Sequence, residues 1–302
     1  WFYTLLAEGV LMGRGTPYKN VICLGHLLDK DGKKMSKSLG NIVEPWGQMD
    51  KYGVDALRMW MYAVSQPGDS KNYDEKTVDE IVKKVFLILS NCIVFYDTYK
   101  GEATYENSAE EVAKSSSNIL DKWVIALFHK MLGDGTGALD AYDTFRSARA
   151  IRDFCNDFST WYIRRSRDRF KSDDVEDRNN ALATTQYILT EFSKYLAPFA
   201  PFFAEEMYLK VTEGMSMESV HLEDWPKGES VSEELERENI LTKMENIRKL
   251  VTLGLEARQR AGIKVRQPLA KITITNHEFD SQYLDLLKDE INVKEVLFDK
   301  SL

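Results

Sequence analysis

Residues 78–96 read VDEIVKKVFLILSNCIVFY, and this stretch indicates the fold class. Its apolar residues recur at the three- and four-residue spacing that places side chains on one face of an α-helix. The residues of this apolar stripe are Val78, Ile81, Val82, Val85, Phe86, Leu89, Ile93 and Tyr96. The stripe predicts a long amphipathic helix in a mainly α protein.

The chain on the C-terminal side repeats this helical pattern. Apolar spacing predicts three more helices, over about 119–133, 138–170 and 177–209. The string APFAPF at residues 197–202 breaks the third helix, and a further helix is predicted over about 234–260. Short connections between amphipathic helices favour an antiparallel bundle. Residues 271–275 alternate as a strand does, and residues 296–298 are expected to pair with them.

The chain on the N-terminal side has a different character. Apolar residues with helical spacing occupy the first eleven positions, and Gly13 ends the pattern. Residues 21–24, VICL, predict a short buried strand. The polar turn DKDG follows at residues 29–32 and leads into a cationic loop over residues 33–41. A strand that enters a cationic loop predicts the edge of an α/β domain.

The cationic loop contains the string KMSKS at residues 34–38. Lys34 and Lys37 are compact point charges that can follow phosphate oxygens as they move, and the hydroxyls of Ser36 and Ser38 can donate hydrogen bonds. Such a loop can stabilise charge on a leaving pyrophosphate without a covalent step. It lacks the glycine pattern of a Walker A loop. Composition alone leaves a solvated surface segment as the alternative.

Charge is unevenly distributed along the chain. The formal net charge of −8 argues against a protein that coats nucleic acid over its whole surface. Residues 145–171, however, hold eight cations and three aspartates, a net charge of +5. The cations are Arg146, Arg149, Arg152, Arg164, Arg165, Arg167, Arg169 and Lys171. This patch is a candidate polyanion site, and the alternative is a helix face of solvated arginines paired with aspartates.

The sequence predicts no zinc or other metal site. No CxxC motif is present, and the candidate ligands are scattered: Cys23, Cys92, Cys155, His26, His129, His221 and His277. The cysteines are expected in or near the core of a protein from a reducing compartment, the cytoplasm. No run of about 18 apolar residues occurs, so we expect no membrane contact. A start at Trp1 without Met indicates a piece of a longer chain.

The string at residues 34–38 resembles the KMSKS signature of class I aminoacyl-tRNA synthetases. Its surroundings resemble the same family, with LGHLLD at residues 24–29 and YGVDALR at residues 52–58. Further segments resemble the isoleucyl branch of the family, namely WYIRRSRDRF at 161–170, APFAPF at 197–202 and IKVRQPL at 263–269. The valyl and leucyl branches fit the first and last of these less well. The matching segments extend over nearly the whole chain.

The resemblance implies an enzyme that joins isoleucine to ATP, accompanied by Mg²⁺, and transfers the acyl group to the tRNA for isoleucine. The implied ATP-binding residues are His26, Lys34, Met35, Ser36, Lys37 and Ser38. Lys34 and Lys37 are the implied catalytic residues, with Lys37 contributing most to the transition state. Met35 is expected to pack beneath the loop, and a structural role for His26 stays open.

The resemblance also implies an anticodon-binding bundle. The residues expected to contact tRNA are Trp161, Arg164, Arg165, Arg167, Arg169, Lys264 and Arg266. Arginine can bind phosphate or stack on a base, and tryptophan can stack. On a helix, Arg164 and Arg167 share one face and Arg165 and Arg169 share another. We expect one pair to contact RNA and the other to bind acidic residues of the bundle, and Trp161 could equally belong to the core.

Four segments are implied along a mainly α chain. Residues 1–76 are expected to be the end of a Rossmann-like α/β catalytic domain, with the KMSKS loop and a stem-contact region. Residues 77–118 are expected to be a connecting helix and linker, 119–227 an antiparallel anticodon-binding bundle, and 228–302 a small α+β element. The HIGH signature and the editing insertion of the family are missing and would precede Trp1.

Two positions depart from the family pattern. Lys171 stands where the family often has Trp, and Tyr73 stands where it usually has Phe. A valyl or leucyl synthetase remains an alternative, as does a tRNA-binding module that has lost catalysis. The intact KMSKS string argues against the last. We expect a monomer whose partners are tRNA, ATP and isoleucine.

Overall fold

The computed structural model describes residues 2–212, 218–228, 231–275 and 279–299. The chain forms two compact units, the first made of residues 1–82 with 135–149 and the second of residues 83–134 with 150–302. Helices dominate both units, which confirms the predicted mainly α fold. His277 lies outside the described residues. No helix in the described part of the chain has the length and apolar character that a membrane crossing needs.

The first unit begins with helix α1 (Phe2–Leu11), as the apolar spacing predicted. Gly13 follows it in a left-handed conformation with φ of 70°, which glycine adopts without steric cost. The next helices are α2 (Pro45–Tyr52), α3 (Val54–Ala63) and α4 (Glu75–Ile81). Gly53, with φ of 81°, separates α2 from α3. The interruption turns α3 into a separate helix with a buried face.

A short pair of parallel strands holds the entrance to the cationic loop. Strand β1 (Leu27–Leu28) pairs with β2 (Lys71–Asn72). Below them, the buried Trp60 donates a hydrogen bond from Nε1 to Thr77 Oγ1 at 2.7 Å. The Trp60 ring also meets Tyr73 edge to face, with centroids 5.2 Å apart. The loop therefore starts from a strand pair next to a packed aromatic core.

The predicted buried strand at residues 21–24 is wrong. These residues form no regular structure, and Val21, Ile22 and Leu24 are 41%, 50% and 77% exposed. A β-rich run becomes a strand only where a neighbouring strand offers matching N–H and C=O groups. Within the described residues, β2 offers that pairing to Leu27 and Leu28.

Further helices follow along the chain, most of them within the second unit. They are α5 (Leu87–Tyr99), α6 (Ala109–Ser115), α7 (Ile119–Asp140), α8 (Thr144–Asp157), α9 (Arg164–Ser166), α10 (Val175–Leu196), α11 (Pro201–Val211) and α12 (Val231–Arg260). Helix α10 is central because it packs against α5, α6 and α11, and its residues 181–189 are all buried. The break at residues 197–202 lies between α10 and α11, as predicted.

A single helix over residues 138–170 is not formed. Helix α7 extends to Asp140, and Tyr142 then adopts a left-handed conformation with φ of 61°. Asp143 caps the next helix by accepting a hydrogen bond from Arg146 N at 3.0 Å. After α8, a π-helical segment (Phe158–Ile163) leads to α9. Local capping, which the apolar period does not report, sets these boundaries.

The C-terminal strands pair as predicted. Strand β3 (Leu269–Ile274) is parallel to β4 (Val293–Phe298), with Leu269 opposite Val293. Helix α13 (Ser281–Ile291) lies between them in the chain and provides the crossover that a parallel pair requires.

The three cysteines differ in burial. Cys92 and Cys155 are buried, as predicted, and burial raises the pKa of Cys92 to about 12. Burial also raises the pKa of Cys155 well above its ordinary value. Cys23 is exposed, so the core assignment is wrong for this residue. Cys23 lies in the irregular stretch at residues 21–24, which pairs with no strand in the described ranges.

Candidate functional site

The cationic loop opens with a tight turn around Asp29. Asp29 Oδ1 accepts hydrogen bonds from the backbone N–H groups of Asp31 at 3.0 Å and Lys33 at 2.8 Å. The Asp29 N–H in turn donates to the Lys33 carbonyl at 2.9 Å. Aspartate favours such turns because its short side chain can hydrogen-bond to the following backbone. An isolated bridge between Leu28 and Lys34 completes the entry.

The loop closes through a 3₁₀ turn over Lys37–Leu39. Ser36 caps this turn, since its Oγ accepts a hydrogen bond from Leu39 N at 3.3 Å. The hydroxyls of Ser36 and Ser38 lie 3.1 Å apart. Gly40 follows with φ of 65°, a left-handed conformation that glycine adopts readily. Both serines of the string therefore hydrogen-bond within the loop itself.

Asn41 joins the two ends of the loop. Its Nδ2 donates to Asp29 Oδ2 at 2.7 Å and to the Lys34 carbonyl at 3.3 Å. Its Oδ1 accepts from Ser36 N at 2.9 Å. The hydrogen bond from Asn41 and those from the backbone of Lys33 and Asp31 hold the pKa of Asp29 below its ordinary value. The carboxylate of Asp29 is thus stabilised in its charged form.

The two lysines of the string extend from this fixed backbone into solvent. Lys34 and Lys37 are exposed, whereas Met35 and Ser36 are half-buried. In the described parts of the chain, neither ammonium group is paired with a carboxylate. Two unpaired positive charges on an ordered backbone can bind an anionic group such as a polyphosphate.

His26 lies just before β1. Its side chain is exposed, and its carbonyl accepts a hydrogen bond from Lys71 N at 2.8 Å. The backbone of His26 therefore extends the pairing of β1 with β2 by one residue.

Residues 161–170 form the arginine-rich segment of the second unit, and most of its arginines are bound to carboxylates. Arg165 is only 11% exposed and binds Glu290 at 2.5 Å and Asp289 at 3.1 Å. Arg164 also binds Glu290, at 2.7 Å, although it is 48% exposed. Arg169 binds acidic residues of the bundle, as expected of one pair, whereas Arg165 and Arg164 bind acidic residues of α13, outside the predicted bundle. A sequence separation of 126 residues hides the partner of Arg164 from the sequence pattern.

Arg169 lies in a buried ionic cluster. It binds Asp121 at 2.7 Å and Asp177 at 2.8 Å, and Asp121 is fully buried. Asp121 also accepts hydrogen bonds from Tyr162 at 2.9 Å and Ser116 at 2.6 Å. Burial alone lowers the pKa of Arg169, but the hydrogen bonds and charge of Asp121 outweigh it and raise the pKa. Arg169 consequently compensates the buried charge of Asp121, which would have no cation beside it if Arg169 were removed.

Arg167 and Trp161 complete the segment. Arg167 is exposed, and no carboxylate within the described ranges pairs with it. Trp161 is half-buried, with its ring edge-on to Trp123 at 6.4 Å. The guanidinium of Arg248 lies over both rings, 5.2 Å from Trp161 and 5.8 Å from Trp123. Trp161 therefore belongs in part to a packed cluster with Trp123 and Arg248.

Lys264 and Arg266 are exposed on the turn between α12 and β3. The buried Arg258 holds this turn through hydrogen bonds to the carbonyls of Lys264 at 3.2 Å and Gln267 at 3.0 Å. The same guanidinium donates to the carbonyls of Ile291 at 2.7 Å and Asn292 at 2.8 Å, where α13 ends. Carbonyl groups at a helix C-terminus carry partial negative charge and suit a cation. The basic turn is thus fixed from inside the protein.

Sequence reasoning missed the residues that hold these surfaces in place. Asp29, Asn41, Arg248 and Arg258 were not among the candidates. The DKDG turn and an asparagine just after a loop glycine are signals that could have indicated the first two. No local signal identifies Arg248, because its partner Asp157 is 91 residues away. Arg258 binds backbone carbonyls, which every residue carries, so its role is not visible in the sequence either. Among the described residues, no group of three or more His, Cys, Asp or Glu could hold a metal ion.

The chain is similar to curated tRNA ligases over its whole length. It is 37% identical to isoleucine–tRNA ligase of Clostridium tetani, covering 100% of this chain and 29% of that protein. It is also 37% identical to isoleucine–tRNA ligase of Streptomyces coelicolor, covering 97% of this chain and 28% of that protein. The chain therefore spans less than a third of the length of these relatives.

A solved structure and two family matches agree with this similarity. The LeuRS of Agrobacterium radiobacter K84, in a ternary complex with tRNA and LeuAMS, shares the fold with a TM-score of 0.55 at 18% identity, over 80% of this chain and 27% of that one. Residues 1–74 match the class I tRNA synthetases for I, L, M and V. Residues 121–274 match the anticodon-binding domain of tRNA ligase. Because the anticodon-binding match alone covers half of the chain, the chain belongs to the tRNA ligases that carry this domain.

Proposed function

We propose that the chain is part of an isoleucine–tRNA ligase. Such an enzyme joins isoleucine to ATP with release of pyrophosphate and then transfers the acyl group to the tRNA for isoleucine. The observation that supports this most directly is the KMSKS loop, whose hydrogen-bonded backbone presents two lysines that pair with no carboxylate among the described residues. The isoleucine specificity rests on the 37% identity to isoleucine–tRNA ligases.

In the reaction, Lys34 and Lys37 bind the phosphates of ATP, which arrives as its Mg²⁺ complex. Negative charge grows on the pyrophosphate as it leaves, and an ammonium group placed beside it lowers the barrier electrostatically. Lys37 follows the Ser36 cap and begins the 3₁₀ turn, so its position is set by that turn. Ser36 and Ser38 shape the loop, Met35 packs beneath it, and His26 lies near the adenosine.

The second unit binds tRNA through its remaining exposed cations. We assign phosphate or base contacts to Arg167, Lys264 and Arg266, which are exposed and not occupied by carboxylates within the described residues. Arg164 contributes with the part of its side chain that faces solvent. Arg165 and Arg169 support this surface and do not contact tRNA, because their guanidinium groups are already bound to carboxylates. The half-buried Trp161 stacks on a base.

The proposed division of labour along the chain follows four segments. Residues 1–76 complete a catalytic domain and residues 77–118 connect it to the rest. Residues 119–227 bind the anticodon, and residues 228–302 form an α+β junction. The protein acts as a monomer in the cytoplasm.

Fluorescence anisotropy with labelled tRNA transcripts tests the proposal. The 302-residue chain is titrated with tRNAs for isoleucine, valine, leucine and an unrelated amino acid across a salt series. We expect preferential binding of the isoleucine tRNA that weakens with salt, because phosphate contacts release counterions. Preference for the valine or leucine tRNA would assign the chain to that sister enzyme. Absence of binding at low salt would contradict the tRNA-binding assignment.

A second assay separates an enzyme from a binding module. The longer protein that contains this chain is tested for isoleucine-dependent exchange of pyrophosphate into ATP. Exchange that requires isoleucine supports the ligase. A protein that binds tRNA but shows no exchange would be a tRNA-binding module.

A further inference from the structure

The side chain of Asn41 connects three points of the KMSKS loop. Its amide NH₂ group donates to Asp29 Oδ2 at 2.7 Å and to the Lys34 carbonyl at 3.3 Å, and its carbonyl accepts from Ser36 N at 2.9 Å. The two backbone contacts are on either side of Met35. A single neutral side chain therefore fixes the backbone that carries Lys34 and leads directly into Lys37.

Asp29 anchors this arrangement from the other side. One carboxylate oxygen, Oδ1, is held by the backbone N–H groups of Asp31 and Lys33, while the other, Oδ2, receives the hydrogen bond from Asn41. The carboxylate is thus fixed by its own turn before it binds Asn41. Because Asn41 is hydrogen-bonded both to this carboxylate and to the Ser36 N–H, it fixes the far end of the loop relative to the turn.

No other side chain makes this link within the described residues of the loop. Ser36 and Ser38 hydrogen-bond locally, to Leu39 N and to each other. Lys34 and Lys37 extend into solvent. The contact between Asp29 and Asn41 therefore holds the loop in its conformation. The side chains of the two lysines are not needed for this.

We infer that Asn41 is a positioning residue that places Lys34 and Lys37 for the ATP phosphates, with Asp29 as its anchor. This inference rests on the proposed ligase function. It assigns a task to two residues outside the KMSKS string. The loop is held by the neutral amide of Asn41, so its two signature lysines need no carboxylate partner, and they have none among the described residues. They are therefore available to bind phosphate.

A reciprocal exchange of the two side chains tests the inference. Asn41→Asp keeps the acceptor for Ser36 N but removes the donor and places a second carboxylate against Asp29. Asp29→Asn keeps the turn acceptor but places a second amide NH₂ against Asn41. In the double variant, the amide at position 29 can donate to the carboxylate at position 41. The contact between positions 29 and 41 is then restored with its direction reversed, whereas the longer hydrogen bond to the Lys34 carbonyl is not.

The first measurement is hydrogen exchange of the peptide over residues 33–41 in the 302-residue chain, by mass spectrometry. We expect each single variant to exchange about tenfold faster and the double variant to recover most of the protection, since one charged hydrogen bond is gained or lost. Asn20→Asp is the matched control, because exposed Asn20 bonds Tyr142 and not the loop. Unchanged exchange in both single variants would overturn the inference.

The second measurement is pyrophosphate exchange by the longer protein. We expect kcat to fall about tenfold in each single variant, with a smaller change in the KM for ATP, and to recover in the double variant. Faster hydrogen exchange with unaltered kcat would overturn the positioning role, as would a double variant as impaired as the single variants. A wild-type protein without any exchange activity would instead refute the proposed function, and the positioning role would fall with it.

Discussion

The KMSKS loop and the arginine-rich segment use similar positive charges in opposite ways. In the loop, the backbone is held by Asn41 and the lysines stay exposed. In the second unit, Arg165 and Arg169 are 11% and 10% exposed and are bound to carboxylates. A charge bound to a buried partner is needed to compensate that partner, and a charge left in solvent is available to a ligand.

This difference shows that the number of cations in a stretch of sequence does not indicate how many of them are available to bind a ligand. The segment at residues 145–171 has a net charge of +5, yet Arg164, Arg165 and Arg169 are engaged by acidic residues outside it. The loop has fewer cations and leaves both of its signature lysines unpaired in the described parts of the chain.

Removal of Arg169 is the strongest test of the comparison. Arg169→Ala leaves the carboxylate of Asp121 buried without its cation, so the free energy of unfolding of the second unit should fall by about 3–5 kcal/mol. Urea unfolding measures the change. Arg167→Ala is the matched control, and an exposed position should change the free energy by less than about 0.5 kcal/mol. Equal effects of the two variants would contradict the division between structural and free arginines.

The loop should show the reverse pattern. Lys37→Ala in the longer protein should lower pyrophosphate exchange by about 100- to 1000-fold, because a preorganised charge is lost from the transition state. Unfolding of the 302-residue chain should be nearly unchanged, since Lys37 is exposed. Lys33→Ala, a neighbouring lysine outside the KMSKS string, is the control and should retain near wild-type exchange. A similar loss in both variants would indicate a general charge effect.

Arg167 provides a finer test. Arg167→Ala should weaken tRNA binding by about 1 kcal/mol and reduce the salt dependence by about one phosphate contact. Anisotropy titrations across a salt series measure both quantities. Lys249→Ala removes one exposed charge from α12, where Lys249 pairs with Glu245, and should leave binding unchanged. If Arg165→Ala reduces the affinity for tRNA more than Arg167→Ala does in the folded protein, the assignment of tRNA contact to Arg167 and of a structural role to Arg165 is wrong.

The smallest expected effect concerns pH. The pKa of Asp29 is lowered from 3.8 in the folded loop, so the contact with Asn41 is fully present above that value and is lost as pH falls through the lowered pKa. NMR titration of the Asp29 carboxyl should give a midpoint below 3.8. In Asn41→Ala the midpoint should rise, since the largest cause of the shift is removed. An unchanged midpoint would show that the turn alone sets the pKa.

The sequence predicted those parts of the fold that depend on local periodicity. The apolar spacing gave α1 and the break between α10 and α11, and the alternation at residues 271–275 gave β3. The prediction of a strand at residues 21–24 was wrong because a β-strand depends on a partner strand. The helix at residues 138–170 failed because Tyr142 and Asp143 end one helix and cap the next.

The sequence by itself determined the chemistry of the loop, because lysines, serines and a glycine in a fixed order carry their properties locally. Only the tertiary structure decided which cations are free. Asp121 is 48 residues from Arg169, and Glu290 is 126 residues from Arg164, so neither pairing is visible in a local pattern. Whether a charge binds a ligand or stabilises the core depends on its neighbours in space, and folding alone brings those neighbours together.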